Sequence, residues 1–159
     1  MGKIIFSVII LLIGVVTLTG CVTISNPVTV IPTNVFVPEI PGGPGLPTIE
    51  ITYLPAYGSF EYLHGQVWHV RPSDYRVAVF IKVGSGWWTK PYWDSPLTII
   101  KSDGSWVCDI VTGGIDEFAT KIAAFLVPAG YNPPLRHGES SLPTDVQQKA
   151  VASVIVSRI

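Results

Sequence analysis

The stretch GWWTKPYW, residues 86–93, gathers Trp87, Trp88, Tyr92 and Trp93 around Lys90, and Asp94 follows directly. Side chains of these types can bind a small polar molecule without reacting with it. Flat rings cover an apolar face of the ligand while an ammonium and a carboxylate take its polar edge. Two consecutive tryptophans on a strand face opposite ways, so one joins the core and the other meets a second layer or solvent. Pro91 interrupts ladder bonding, which leaves Lys90, Tyr92, Trp93 and Asp94 in a loop or at an edge. Two readings follow. In one, a core tryptophan is joined by an aromatic loop packed on the flank of the domain. In the other, Trp88, Tyr92 and Trp93 form a platform with Lys90 and Asp94 as polar partners, because exposed grouped aromatics mark interaction sites. The candidate ligand-binding set is Trp87, Trp88, Lys90, Tyr92, Trp93 and Asp94. A sugar ring stacks its C–H face on indole while flanking polar groups take its hydroxyls, so carbohydrate is the ligand class expected.

Residues with catalytic potential are sparse. The chain carries no G-x-S-x-G elbow, H-E-x-x-H, P-loop, dinucleotide fingerprint or EF-hand loop. On one strand His64 and His69 would point to opposite faces and could not clamp a metal together. His137 follows a Pro133-Pro134-Leu135-Arg136 run and has no partner readable from spacing. Asp116 and Glu117 are adjacent and read as a solvated acidic loop. Cys108, in SWVCDI, alternates with Trp106 and Ile110 and reads as a small buried thiol, with no histidine to activate it. The expectation is therefore a non-catalytic protein without metal or cofactor.

The elements that must position these residues are short strands. Period-two apolar runs occur at 48–54, 65–70, 76–83, 97–101, 105–110, 121–127 and 151–157. In the third run Val77, Val79, Ile81 and Val83 share one face, and Arg76, Ala78, Phe80 and Lys82 share the other. Pro72-Ser73-Asp74, Gly84-Ser85-Gly86, Ser102-Asp103-Gly104 and Gly113-Gly114 supply turn chemistry between the runs. Asp103-Gly104 predicts a hairpin between the fourth and fifth runs. A single helical turn is expected near PTDVQQKAV, capped by Thr144 or Asp145. About seven strands at this spacing predict an all-β domain, an antiparallel β-sandwich over 48–159 of immunoglobulin-like layout. Its aliphatic and aromatic content is enough for one core without disulfides.

Ahead of that domain the composition changes twice. Residues 26–47 hold Pro27, Pro32, Pro38, Pro41, Pro44 and Pro47 plus Gly42, Gly43 and Gly45, which excludes helix and continuous sheet and predicts an extended stalk. The chain opens with Lys3 and an apolar run over 4–16, the layout of a secretory signal. That run is shorter than the roughly 20 residues a spanning helix needs.

Leu18-Thr19-Gly20-Cys21 resembles the lipobox of bacterial lipoprotein precursors. The resemblance implies removal of residues 1–20 and attachment of a diacylglycerol to Cys21, with a lipidated Pro/Gly-rich linker over 21–47. It also implies anchoring to a cell membrane or outer membrane on the extracytoplasmic side. HGQVWHV, RVAVFIKV and the IIKSDGSWVCDI hairpin resemble transthyretin-like or carboxypeptidase-regulatory-like sandwiches, accessory modules of secreted bacterial proteins. GWWTKPYW with SDGSWVCDI is similar to β modules appended to glycan-active enzymes, which implies a polysaccharide ligand. A protein partner in the envelope is the alternative.

Charge excludes one class of partner. The formal net charge is −1, and without Lys3 the nine basic and eleven acidic residues leave −2. No basic run provides a footprint for nucleic acid.

Overall fold

The computed structural model describes residues 41–158. The apolar leader, Cys21 and the tether as far as residue 40 lie outside the described residues. Nine strands occur among those described: β1 Thr48–Tyr53, β2 Leu63–Trp68, β3 Tyr75–Val83, β4 Gly86–Lys90, β5 Thr98–Ile99, β6 Ser105–Cys108, β7 Lys121–Pro128, β8 His137–Glu139 and β9 Ala152–Ser157. All pairings are antiparallel. They form a three-stranded sheet in the order β1-β2-β6 and a larger sheet in the order β8-β4-β3-β7-β9, with β5 also on β3.

The fold is all-β, and its main core lies between the two sheets. Ile49, Leu63, Val67, Trp106 and Cys108 from the smaller sheet pack with Val77, Val79, Ile81, Ile122 and Leu126 from the larger one. Alternation along β3 aims its odd-numbered side chains at this core. Its central even-numbered side chains do not face solvent: Ala78 and Phe80 are fully buried with Ala123, Phe125 and Val127 in a second core. That outer face is closed by helix α1, Thr144–Lys149, through Val146, helped by Leu97, Tyr131 and Leu142. Sequence alternation alone predicts one core; the continuous burial of β3 and β7 is the mark of a sheet covered on both sides.

Each of the seven apolar runs contains a strand, and β4 and β8 are additional. The Asp103-Gly104 turn forms, with the Lys101 N–H donating to the Ser105 carbonyl at 2.8 Å and Asp103 Oδ1 accepting from the Ser105 N–H at 2.9 Å. The strands on its two sides part company, however, because β5 pairs with β3 and β6 with β2. The turn is a corner between sheets, held as a hairpin only by the Ile100–Trp106 bridge. The helix also starts differently from expectation. Pro143 occupies the cap position and no side chain caps it, while Asp145 accepts a hydrogen bond from the Tyr131 hydroxyl instead.

Register fixes which loops share an end of the sandwich. Thr48 pairs with Trp68. Residues 41–47 therefore lie at the Trp68 end, where a side chain added at Gly42 would touch the Val70 carbonyl and one added at Gly104 would meet Pro41. Leu63 pairs with Cys108, so the β1–β2 loop and the segment after β6 lie at the opposite end. Among the described residues, no helix is long and apolar enough to cross a membrane.

Candidate functional site

Strand β4 exists because its residues find partners on both edges. Gly86 to Lys90 pair with β3 from Val83 back to Val79, and Trp87 and Trp88 pair with Glu139 and His137 of β8. Gly86 permits the second contact, since a side chain there would collide with the Gly138 backbone. The strand then splits the two tryptophans. Trp87 shares a face with Lys82, whose Nζ lies 5.9 Å from the indole centroid, and it is buried in the second core at 6% exposure. Trp88 and Lys90 share the opposite face, toward the space between the sheets.

That space widens beside β4 because three strands face a broader sheet. Among the described residues no strand covers the inner face of β4; residues 112–116 face it instead. The result is a cavity of about 790 Å³ lined by Trp88, Lys90, Tyr92, Trp93 and Asp94 on one side and by residues 112–116 on the other. Trp88 is half-buried, whereas Tyr92 and Trp93 are 51% and 53% exposed. Among the described residues none of these three rings stacks on another. Trp93 meets the His137 imidazole instead, with centroids 4.4 Å apart and planes at 60°.

The cavity floor is ionic. Lys90 Nζ donates to Asp116 Oδ2 and, at 2.8 Å, to Thr112 Oγ1. The same Asp116 oxygen accepts the Thr112 and Gly113 backbone N–H groups, both at 3.0 Å. Thr112 in turn donates its hydroxyl to the Pro91 carbonyl at 2.9 Å. Only 6% of the Lys90 side chain and 10% of the Asp116 side chain remain exposed. Burying two charges is tolerated because each faces the other and both make further hydrogen bonds, Lys90 to Thr112 Oγ1 and Asp116 to two backbone N–H groups.

Set against sequence expectation, five of the six candidate residues line one cavity: Trp88, Lys90, Tyr92, Trp93 and Asp94. Trp87 does not; the β4 pleat turns it to the opposite layer. Lys90, expected in a loop or edge, is the last residue of β4 and is buried. Asp116 corrects a second expectation. It lies within a 3-10 turn, 7% exposed, as the counter-ion of Lys90 rather than in a solvated loop, while Glu117 beside it is half-buried. Thr112, Asp116 and His137 belong to the site or its rim, and no spacing in the chain announces them.

Other chemistry-bearing residues lie elsewhere. Cys108 is buried in the main core, where burial pushes its thiol up to about 12. No group of three or more His, Cys, Asp or Glu able to hold a metal ion occurs among the described residues. Compared with protein-family models, curated proteins and solved structures, the chain matches none.

Proposed function

We propose that this protein is a lipid-anchored, non-catalytic envelope protein whose β-sandwich binds carbohydrate in the cavity beside β4. The observation that carries the reading is the pairing of exposed Tyr92 and Trp93 with half-buried Trp88 around a concavity floored by Lys90, Thr112 and Asp116. Sugars ask for that combination: ring faces for the C–H surface, and fixed donors and acceptors for the hydroxyls. Cavities of roughly 300–1,000 Å³ suit ligands of this size. One cation and two carboxylates line it, a net charge of −1, which favours neutral over acidic sugars.

Lys3, the apolar run and Leu18-Thr19-Gly20-Cys21 support the anchor. Two acyl chains hold a protein stably on a bilayer where one does not. Residues 41–47 lie at the Trp68 end of the sandwich, whereas residues 112–116 of the cavity follow β6 at the other end. Anchoring is tested by Cys21→Ser, which should move the protein from the membrane fraction to the medium. Retention in the membrane would overturn it.

Ligand binding is tested by titrating tryptophan fluorescence with soluble neutral oligosaccharides. Trp93→Ala should weaken binding at least tenfold with little change in thermal midpoint, because the ring is half exposed. Unchanged affinity in a folded variant would refute the platform. The second reading is docking of an envelope protein, favoured by Ile115, which is 60% exposed on the cavity rim. In that case cross-linking captures a defined partner and added sugar does not compete.

A further inference from the structure

The loop joining β1 to β2, residues 54–62, carries aromatic residues that the sequence reading passed over. Tyr57 is 48% exposed, Phe60 70% and Tyr62 52%, and Tyr53, at the end of β1, is 43% exposed. The loop is held in place by contacts at both of its flanks. Arg158, only 4% exposed, donates through Nε to the Pro55 carbonyl at 2.9 Å and through Nη2 to the Ala56 and Ser59 carbonyls at 2.6 and 3.1 Å. The Gly58 N–H donates to the Glu117 carbonyl at 2.9 Å, and Tyr57 packs on Phe118 with centroids 5.4 Å apart.

Beneath the loop is a shallow hollow of about 400 Å³ lined by Tyr53, Phe60, Glu61, Tyr62 and His64. Its polar groups are already oriented. The Tyr53 hydroxyl donates to Glu61 Oε2, the Ser59 hydroxyl donates to the same oxygen at 3.1 Å, and His64 sits edge-on to Tyr53 at 5.6 Å. No lysine or arginine lines it, so it has nothing to offer an anionic polymer. The loop that carries Phe60 and Tyr62 touches the segment that lines the first cavity: Ile115 lines the cavity, and Phe118, three residues on, packs on Tyr57 of the loop.

We infer that the Tyr53–Phe60–Tyr62–His64 hollow is a second sugar subsite, so that the ligand is a neutral polysaccharide chain lying across both features, not a single sugar. This rests on the carbohydrate reading of the first cavity. Phe60 and Tyr62 supply ring faces, and Glu61, His64 and the tyrosyl hydroxyls meet sugar hydroxyls. Arg158 is a positioning residue that keeps the loop from collapsing. Linked subsites convert the second contact into an intramolecular one, and affinity rises with chain length until both are spanned.

The test uses the full chain and neutral β-1,4-linked glucose and N-acetylglucosamine oligomers, as dimers, tetramers and hexamers, measured by calorimetry. The hexamer should bind at least tenfold more tightly than the dimer. Phe60→Ala and Tyr62→Ala should remove that gain while leaving dimer affinity and thermal midpoint in place, whereas Trp93→Ala should weaken every length. Hydrogen exchange supplies a second readout: the hexamer, but not the dimer, should protect amides over 57–62. Length-independent binding, or a hexamer gain that survives Phe60→Ala and Tyr62→Ala, overturns the second subsite and leaves the first intact. If no oligomer binds the unmodified protein, the carbohydrate reading itself falls and takes this inference with it.

Discussion

Removing either partner of the Lys90–Asp116 pair should cost more than any other single polar substitution in the described domain. In Lys90→Met the stem volume is kept and the charge is lost, leaving the Asp116 carboxylate with only the Thr112 and Gly113 N–H groups. In Asp116→Asn the ammonium keeps Thr112 Oγ1 but loses its counter-ion. With side-chain exposures of 6% and 10%, neither orphaned charge can rehydrate without opening the 112–116 segment. Breaking such a pair from one side costs about 3–5 kcal/mol. For a domain of this size that is on the order of 10–25 °C in thermal midpoint. The double replacement Lys90→Met/Asp116→Leu should be far milder than the sum, because both charges leave together and Gly113, being exposed, can turn its N–H to water. The assay is urea unfolding of all four proteins at neutral pH, followed by tryptophan fluorescence with the denaturant slope held common. A coupling below about 0.5 kcal/mol, or single variants within about 1 kcal/mol of the parent, would refute the argument. The pair would then be solvated, and the floor of the cavity would not be the closed surface described above.

The remaining predictions concern packing, reactivity and pH. Gly65→Ala should destabilise the smaller sheet by about 1–3 kcal/mol or more, since a methyl group there overlaps the Trp106 indole and the Glu50 carbonyl; an unshifted urea midpoint would contradict that packing. Cys108, with its thiol pushed up to about 12, should resist alkylation at pH 8 in the native state and react promptly in urea; equal rates in both states would show the thiol to be accessible. Acid should weaken the fold with a defined sign. Glu61 is held below its ordinary value of 4.5 by the Tyr53 and then the Ser59 hydroxyl, and Asp103 below 3.8 by Ser105. Their folded pKa values are depressed, so the stability they contribute is present above about pH 4.5 and is lost as pH falls through the folded values. Glu61→Gln should flatten the acid limb of the thermal midpoint between pH 5 and 3, and an identical limb would remove Glu61 from the account.

Local periodicity was enough to place most of the strands, because a half-buried strand writes its burial into every second residue. Runs such as those over 65–70 and 151–157 are therefore readable without knowing their partners. Strand β8 is three residues long and pairs across a shift in register, so His137–Glu139 leaves no such trace. Strand β4 was obscured by its own content. GWWTK pairs on both edges, yet Pro91 and the consecutive tryptophans argue locally for interruption. The second core was equally hidden, since nothing in the alternation of β3 states that α1 will cover its outer face.

The same division runs through the site. Residue type and the nine positions 86–94 were sufficient to nominate Trp88, Lys90, Tyr92, Trp93 and Asp94 together with Trp87, and pleat geometry already required that Trp87 and Trp88 part. Which tryptophan goes inward, and that Lys90 meets Asp116 across 26 positions of chain, depended on how the sheets stack. A carboxylate's burial is a property of what surrounds it, not of its neighbours in sequence, so Asp116 beside Glu117 looks solvated until the 112–116 segment folds over β4. Sequence alone determined the chemistry available and the strand pattern that would carry it. Tertiary structure alone decided the cavity, because its two walls, β4 with residues 91–94 and the segment 112–116, are distant in sequence and meet only when the chain folds.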